Sequence, residues 1–285
     1  MNLKPYLAVM FAASFGGFVG VLVKWLNLPT LSTTFFRLAV PTIIIFVYLK
    51  INHFKIWHGN YKIMSLASLL NAVRIFLYYF AYLHASVAYG VVILYLYPVF
   101  MALWGFIFLK EKITWQSVGM VVLAFGGTVL IYSGKLGGFS PGDLLGMGAM
   151  LLSGFIFSLT MLIYKKQTPN YTPPEIIFWQ NFVGGVGSAI LVCFYGLNAS
   201  WAVAGSAFVY YGLVIGIFTF WLFFYGLKHL TLSQYSVLAY IEVISAVGFA
   251  VMFLGEKLTL NFGLGSVMIL AAGIGLVLGK SRTVN

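Results

Sequence analysis

Charge is scarce in this sequence, and acidic charge is scarcer still. Only 7% of its 285 residues are Asp, Glu, Lys or Arg, and just five of them are acids, whereas soluble domains carry about 25% charged residues. Hydrophobic residues make up 62% of the chain, and its mean hydropathy is +1.01. A soluble fold of this length cannot bury so much apolar surface in its core, so the surrounding solvent must be largely lipid.

Cysteine and the usual motifs of metal and nucleotide sites are missing or nearly so. The single Cys193 excludes an intramolecular disulfide, and we interpret it as a packing residue. The sequence has no phosphate-binding loop and no HExxH motif. Four histidines fall in or beside predicted loops without metal-ligand spacing: His53, His58, His84 and His229. We therefore expect no metal, no cofactor and no enzymatic activity.

Apolar stretches, separated by charged residues, Pro, Asn and Gly, predict ten transmembrane helices. Each is close to the length of about 20 residues that a bilayer requires. We interpret the first as a retained helix, because no clean signal-peptide cleavage site follows it. The expected spans are 5–26, 32–49, 62–83, 87–109, 114–133, 142–164, 174–195, 203–227, 232–254 and 260–279.

Basic residues are distributed unequally between the two sets of predicted loops. Most lie on one side, whereas the opposite loops hold only Lys135 and Lys257. Because cytoplasmic loops are enriched in Lys and Arg, we expect both termini in the cytoplasm and the chain in the cytoplasmic (inner) membrane. The net charge of +11 is scattered between apolar spans, so it does not indicate binding to nucleic acid.

Two stretches of the chain, 87–134 and 232–279, resemble each other. Each contains two spans joined by a Glu-Lys turn, and each follows three further spans. The predicted halves, residues 1–134 and 141–285, are therefore two five-helix repeats. An odd number of spans per half makes the repeats inverted, which is the basis of alternating access in many transporters. The matching turns are Glu111-Lys112 with Thr114 and Glu256-Lys257 with Thr259.

The repeated stretches also resemble a known family. They read YLYPVF…LKEKIT, from Tyr95 to Thr114, and YIEVIS…LGEKLT, from Tyr240 to Thr259, and Arg37 lies in TTFFRLAVP. This pattern is similar to the EamA-type branch of the drug/metabolite transporter (DMT) superfamily over nearly the whole chain. The resemblance implies secondary transport of small organic metabolites, often export of amino acids. Val243 replaces a proline common in that family, so we expect the kink of the fourth span to be absent or shifted in the ninth.

Two charged residues, Arg74 and Glu242, fall near the centres of predicted spans. A charge at this depth costs about 2.5–3.5 kcal/mol on insertion scales, so it needs a partner, a water-filled cavity or a substrate. A structural ion pair between the two is the alternative to a substrate site. Lys24 and Arg37 lie nearer the external ends of their spans, where snorkelling to the interface explains them.

Helical spacing places polar and aromatic residues on four faces: Asn71 and Tyr78 beside Arg74, Tyr235 and Ser245 beside Glu242, Tyr97 on span 4, and Trp221 with Tyr225 on span 8. A cavity lined by these faces suits a zwitterion, because Arg74 can bind a carboxylate, Glu242 an ammonium group, and the aromatic rings a cation or an apolar group. Glu242 is also a candidate proton-coupling group. The candidate substrate-binding residues are Glu242, Arg74, Asn71, Tyr78, Tyr97, Trp221, Tyr225 and Ser245.

We therefore expect a secondary transporter of amino acids or related zwitterions, with export favoured. The first alternative is a carrier of choline-like quaternary amines, in which Glu242 and an aromatic cage dominate. The second is a lipid-handling or helper membrane protein without a small solute. The expected partners are a small-molecule metabolite, the lipid bilayer and protons as a candidate coupling ion, with the chain a monomer or homodimer.

Overall fold

A computed structural model describes residues 3–84, 87–112, 114–134, 141–255, 257 and 259–279. Helices make up nearly all of these ranges, and no strand occurs within them. Ten helical spans follow one another along the chain. Their helices are, for span 1, Lys4–Gly17 and Val19–Leu26; for span 2, Thr30–Thr34, the π-helical Phe35–Ala39 and Val40–Ile51; for span 3, Tyr61–His84; for span 4, Val87–Leu94 and Tyr97–Leu109; for span 5, Trp115–Ser133; for span 6, Pro141–Gln167; for span 7, Pro173–Tyr195; for span 8, Trp201–Ala207, the π-helical Phe208–Thr219 and Phe220–His229; for span 9, Leu232–Ala239 and Ile241–Leu254; and for span 10, Leu260–Gly279.

The prediction of an all-α protein with ten transmembrane helices is confirmed. Within the described residues, spans 1 to 9 each contain an apolar stretch long enough to cross a bilayer. The apolar stretch found in span 10, Leu260–Gly275, is shorter. The proposed boundary between the halves falls at 135–140, and Lys135 and Glu256 likewise lie outside the described residues.

The packing of the spans repeats with an offset of five. Span 1 packs against spans 8 and 9, and its counterpart, span 6, packs against spans 3 and 4. Span 3 packs against span 7, as span 8 packs against span 2. Spans 5 and 10 pair with each other, as do spans 4 and 9 and spans 2 and 7. Exchanging each span for its counterpart therefore leaves this pattern unchanged, as two inverted five-helix repeats require.

The threonine of each repeated turn begins a helix. The Thr114 hydroxyl accepts a hydrogen bond from the backbone N–H of Ser117 at 3.1 Å, which caps the start of span 5. The Thr259 hydroxyl accepts from the backbone N–H of Phe262 at 3.2 Å at the start of span 10. The backbones of the two spans meet directly at one point, since a Cβ on Gly127 would lie 2.6 Å from the carbonyl oxygen of Gly265.

Spans 4 and 9 are interrupted at equivalent positions, residues 95–96 and 240. The expectation that span 9 lacks or shifts this break is wrong, because the break does not depend on a proline there. Hydrogen bonds from Leu96 to Ile93 and from Tyr240 to Val237 tighten both spans into i→i−3 turns. The Tyr240 hydroxyl then donates to the Tyr95 carbonyl at 2.9 Å, which joins the two breaks where the spans cross.

Candidate functional site

Span 1 lies directly against the part of span 9 that carries Glu242. A Cβ on Gly17 would lie 2.2 Å from the Ser245 hydroxyl oxygen and 2.8 Å from the Glu242 carbonyl oxygen. A Cβ on Gly16 would lie 3.1 Å from the Glu242 carboxylate. Only glycine permits this approach, which places the carboxylate beside the bare backbone of span 1.

Ser245 contributes to this packing. Its hydroxyl donates to the Ala13 carbonyl in span 1 at 3.3 Å and to the Glu242 carbonyl at 3.0 Å. The carboxylate of Glu242 is different, because it is partly exposed and makes neither an ion pair nor a hydrogen bond with any described residue. The structure therefore places Ser245 at the helix contact and leaves the Glu242 carboxylate available for a ligand.

Arg74 in span 3 is held in place by an aromatic ring and an amide. Its guanidinium carbon lies 4.5 Å from the centre of the Phe157 ring in span 6. Its Nε donates to Oδ1 of Asn71 at 3.1 Å, and the buried Asn71 donates in turn to the Gln180 carbonyl at 2.8 Å. The terminal nitrogens of Arg74 make no hydrogen bond with the described part of the chain, so they remain free for a carboxylate.

Arg74 and Glu242 face the same interior region without touching. They are near enough to interact electrostatically, but no ion pair joins them within the described ranges. Tyr97 in span 4 is buried, lies near enough to interact with both charges, and packs against Phe157 with ring centres 4.9 Å apart. The structural ion pair considered from the sequence is therefore not formed among the described residues, and the Tyr97 phenol is near both charges.

The remaining aromatic candidates are not all brought to this region. Tyr78 lies close enough to Arg74 to interact with it, and its ring contacts that of Tyr79. Tyr225 instead packs on His229, one turn further along span 8, with ring centres 4.6 Å apart. Trp221 is 52% exposed on the surface of the isolated chain.

The π-helical part of span 8 explains why Trp221 and Tyr225 lie away from Arg74. A π-helix forms i→i+5 hydrogen bonds, so it uses more residues per turn than an α-helix and rotates everything that follows. After Phe208–Thr219 the inward positions are therefore Phe220 and Phe224, of which Phe224 is fully buried. Trp221 and Tyr225 share a face of the α-helical part Phe220–His229, but the π-helical turns before it rotate that face away from Arg74.

Arg37 is a residue of this region that sequence reasoning assigned to the membrane surface. Its guanidinium carbon lies 4.5 Å from the centre of the Phe220 ring, and the group is close enough to interact with Arg74 and Tyr79. Lys24, by contrast, is exposed, as snorkelling predicts. The available signal was Pro41, which cannot donate to the carbonyl of the residue four positions earlier, Arg37, and so disturbs the helix at that point.

Phe157 was also missed. Its ring packs against the guanidinium of Arg74, and because aromatic residues make up 18% of the chain, nothing in the sequence distinguishes this ring from the others. Tyr235, which helical spacing places on the same face of span 9 as Glu242, is near enough to Glu242 to interact with it.

The Glu-Lys turn of the first half links the halves near the predicted cytoplasmic side. The Glu111 carboxylate accepts hydrogen bonds from the backbone N–H groups of Leu232 at 2.8 Å and Ser233 at 3.3 Å. A carboxylate at this place satisfies the unpaired N–H groups at the start of span 9 and complements the helix dipole. Lys165 donates to the carbonyls of Leu227 and Leu230 at 2.6 Å and satisfies the end of span 8.

A separate groove of about 540 Å³ opens between spans 3 and 6. Its lining is apolar, with Leu77, Phe80, Leu144 and Leu152 among the contributing residues. It has room for an acyl chain, but no charged side chain in it would recognise a headgroup or a polar solute. The groove is therefore a poorer candidate for a solute site than the region around Arg74 and Glu242.

An all-helical membrane bundle made of two inverted halves is an architecture that many transporters share. The sequence matches the model of the EamA-like transporter family over residues 3–133 and 144–278. The chain belongs to this family, which is part of the DMT superfamily, and the resemblance noted from its motifs is confirmed.

The relatives that match this chain indicate a transporter but do not identify what it transports. An uncharacterized transporter of Bacillus subtilis, YxxF, is 28% identical and covers 93% of this chain and 86% of its own length. An uncharacterized transporter of Archaeoglobus fulgidus is 26% identical over 93% of each chain. A crystal structure of a protein with 15% identity superposes with a TM-score of 0.84 over the whole of both chains, which supports the fold.

Proposed function

We propose that this transporter moves amino acids or related zwitterionic metabolites by alternating access, with export favoured. The observation that carries the proposal is the pair of unpaired charges, Arg74 on span 3 and Glu242 on span 9. The free edge of the Arg74 guanidinium can bind a carboxylate by two hydrogen bonds. Glu242 can bind an ammonium group, and Tyr97 with Phe157 forms an aromatic wall between them.

Placement of the two charges on different halves supports alternating access. Span 3 belongs to the first half and span 9 to the second, so a bound zwitterion bridges the halves. Breaks in spans 1, 4 and 9, near residues 18, 95 and 240, are positions at which these spans can bend. In this proposal both termini lie on the cytoplasmic side, and Glu242 is the candidate proton-coupling group.

Arginine in the same region disfavours a carrier dedicated to quaternary amines. Arg37 and Arg74 are near enough to interact with each other, and both repel a cationic ligand. A cation carrier would need Glu242 to outweigh two guanidinium groups. The zwitterion is the ligand for which one acid and one free arginine both have a partner.

The test is binding and transport by the purified full-length chain. Thermal stabilisation by amino acids, quaternary amines and nucleosides identifies ligands, and uptake into liposomes follows for each of them. Arg74→Gln and Glu242→Gln are each expected to weaken binding of a zwitterion by about tenfold or more. Lys50→Gln is the matched control, because Lys50 also lies over an aromatic ring, that of Phe46, but is exposed.

Unchanged binding and transport of every ligand by the Glu242→Gln variant would sink the site. Stabilisation by quaternary amines that survives Arg74→Gln would favour the cation carrier instead. An imposed pH gradient that accelerates transport by the wild type but not by Glu242→Gln would support proton coupling at this residue.

A further inference from the structure

Arg37 has hydrogen-bond donors that nothing in the described chain uses. Its Nη1 is buried and makes no hydrogen bond, and the described residues provide no acid near enough to pair with it. A guanidinium inside a membrane protein with unfilled donors is costly, because neither water nor a protein acceptor replaces its hydration. An anionic ligand would remove this cost.

The groups that face Arg37 increase the need for an anion. They are the Phe220 ring of span 8, and Arg74 and Tyr79 of span 3. The charge nearest to Arg37 among these is therefore another cation. Counting Glu242, the region holds two guanidinium groups and one carboxylate. A neutral zwitterion would leave this excess of positive charge in place.

Both guanidinium groups are held by aromatic rings in a way that leaves donors free. Arg37 lies over Phe220 and Arg74 over Phe157, each with its guanidinium carbon 4.5 Å from the ring centre. A cation–π contact stabilises the charge of an arginine without using its N–H groups. Arg37 on span 2 and Arg74 on span 3 therefore both have N–H groups available to donate hydrogen bonds to an anion.

We propose that Arg37 and Arg74 form an anion subsite that selects substrates with a second acidic group, such as acidic amino acids. The inference rests on the proposed function. Glu242 holds the ammonium group, Arg74 holds the α-carboxylate, and Arg37 holds the acidic group of the side chain. Arg37 is then the specificity-determining residue, and the bound substrate neutralises the charge of the region.

Matched ligand pairs test this selectivity. Glutamate and glutamine have the same shape and differ in side-chain charge, as do aspartate and asparagine. We expect the wild type to bind the acidic member of each pair about tenfold or more tightly than the amide. Arg37→Gln is expected to abolish that difference by weakening binding of the acid while leaving binding of the amide unchanged. Arg37→Lys, which keeps the charge, is expected to retain part of the preference.

Three results would overturn the proposal. One is equal binding of the amides and the acids by the wild type, and another is an equal loss of both ligands in Arg37→Gln, as a merely structural role requires. Stabilisation by sodium chloride, compared with sodium gluconate, without any preference for acidic ligands would mean that Arg37 holds an inorganic anion. If Arg37→Gln does not fold, the ligand pairs on the wild type and Arg37→Lys still decide the question.

Failure of this inference can be separated from failure of the proposed function. Binding of neutral amino acids that depends on Arg74 and Glu242, with no preference for acids, would leave the zwitterion transporter standing and remove the subsite. Absence of binding by any amino acid, acidic or neutral, would remove both.

Discussion

At the scale of single residues, the region between the halves depends on what is absent from span 1 as much as on the charges opposite it. Gly16 and Gly17 leave the backbone of span 1 bare where Glu242 and Ser245 lie against it. Any side chain at residue 17 would have to displace Ser245 or the backbone at Ala246. The position of Glu242, the only acid near the centre of a described span, is therefore set by two glycines on another helix.

Gly17→Ala is expected to destabilise the protein by about 1–3 kcal/mol, the usual cost of overpacking. The reason is that a Cβ at this position would lie 2.2 Å from the Ser245 hydroxyl oxygen and 2.5 Å from the Ala246 nitrogen. Thermal unfolding of the purified protein measures the effect. Gly20→Ala is the control, because a Cβ there meets nothing within 4 Å, and it should leave the melting temperature unchanged or raise it. Equal melting temperatures for the two variants would contradict the packing described here.

At the scale of helices, breaks and π-helical turns decide which side chains face the interior. Span 8 loses α-helical spacing over Phe208–Thr219, and span 2 does so over Phe35–Ala39, just before Pro41. The side chains that follow or lie within these segments, Phe220 and Arg37, meet each other. Two irregular helices thus place a cation over a ring in the protein interior.

The Glu111 carboxylate is expected to protect the start of span 9 from opening. Glu111→Ala removes the acceptor for the N–H groups of Leu232 and Ser233 and should cost about 0.5–2 kcal/mol, as loss of a helix cap does. Hydrogen–deuterium exchange checks the prediction directly, since these two amides should exchange faster. Lys112→Ala, next to it and exposed, is the control. Unchanged protection in both variants would show that Glu111 does not cap span 9.

At the scale of the whole molecule, polar contacts at the predicted cytoplasmic side hold the halves together. His58, between spans 2 and 3, lies 2.7 Å from the carboxylate of Glu175 at the start of span 7. The Tyr171 hydroxyl donates to the His58 carbonyl, and the other Glu175 oxygen accepts from the Thr172 hydroxyl and backbone N–H at 2.7 Å. These contacts connect a loop of the first half with a helix start of the second.

Glu175→Gln is expected to loosen this connection between the halves. The buried carboxylate accepts several hydrogen bonds, so replacing it should lower stability by about 1–3 kcal/mol. Thermal unfolding measures the loss, and an engineered cysteine pair across the two loops reports their separation by cross-linking. Tyr171→Phe removes a different contact of the same cluster and should have a smaller effect. A larger effect of Tyr171→Phe than of Glu175→Gln would reverse the roles assigned here.

Much of the fold could be predicted because lipid imposes simple rules on sequence. Long apolar stretches predicted the spans, and two Glu-Lys turns followed by threonine predicted the repeat. Arg74 and Glu242 stood out because charges in mid-span are rare and costly. The repeat predicts that Arg74 and Glu242 belong to different halves. The lack of a direct ion pair between them depends on how the helices pack, which the sequence pattern does not show.

The failures of the sequence reasoning concern the direction of side chains and the cause of a helix break. Trp221 and Tyr225 were expected to face the cavity, but the π-helical turns before them rotate this face of span 8 away. Snorkelling of Arg37 was judged from its distance along the chain to the end of span 2, which does not fix the direction of the side chain. The break at Tyr240 was tied to a proline, although a tightened turn achieves the same result.

The crossing of spans 4 and 9 gives the inverted repeat a direction. Tyr95 and Tyr240 occupy equivalent positions, yet in this structure the Tyr240 hydroxyl donates and the Tyr95 carbonyl accepts. In the alternating-access mechanism proposed above, the halves exchange conformations. If the exchange follows the symmetry of the repeats, we expect the oppositely facing state to have the Tyr95 hydroxyl donating to the Tyr240 carbonyl. The direction of this one hydrogen bond would then report the side of the membrane to which the protein is open.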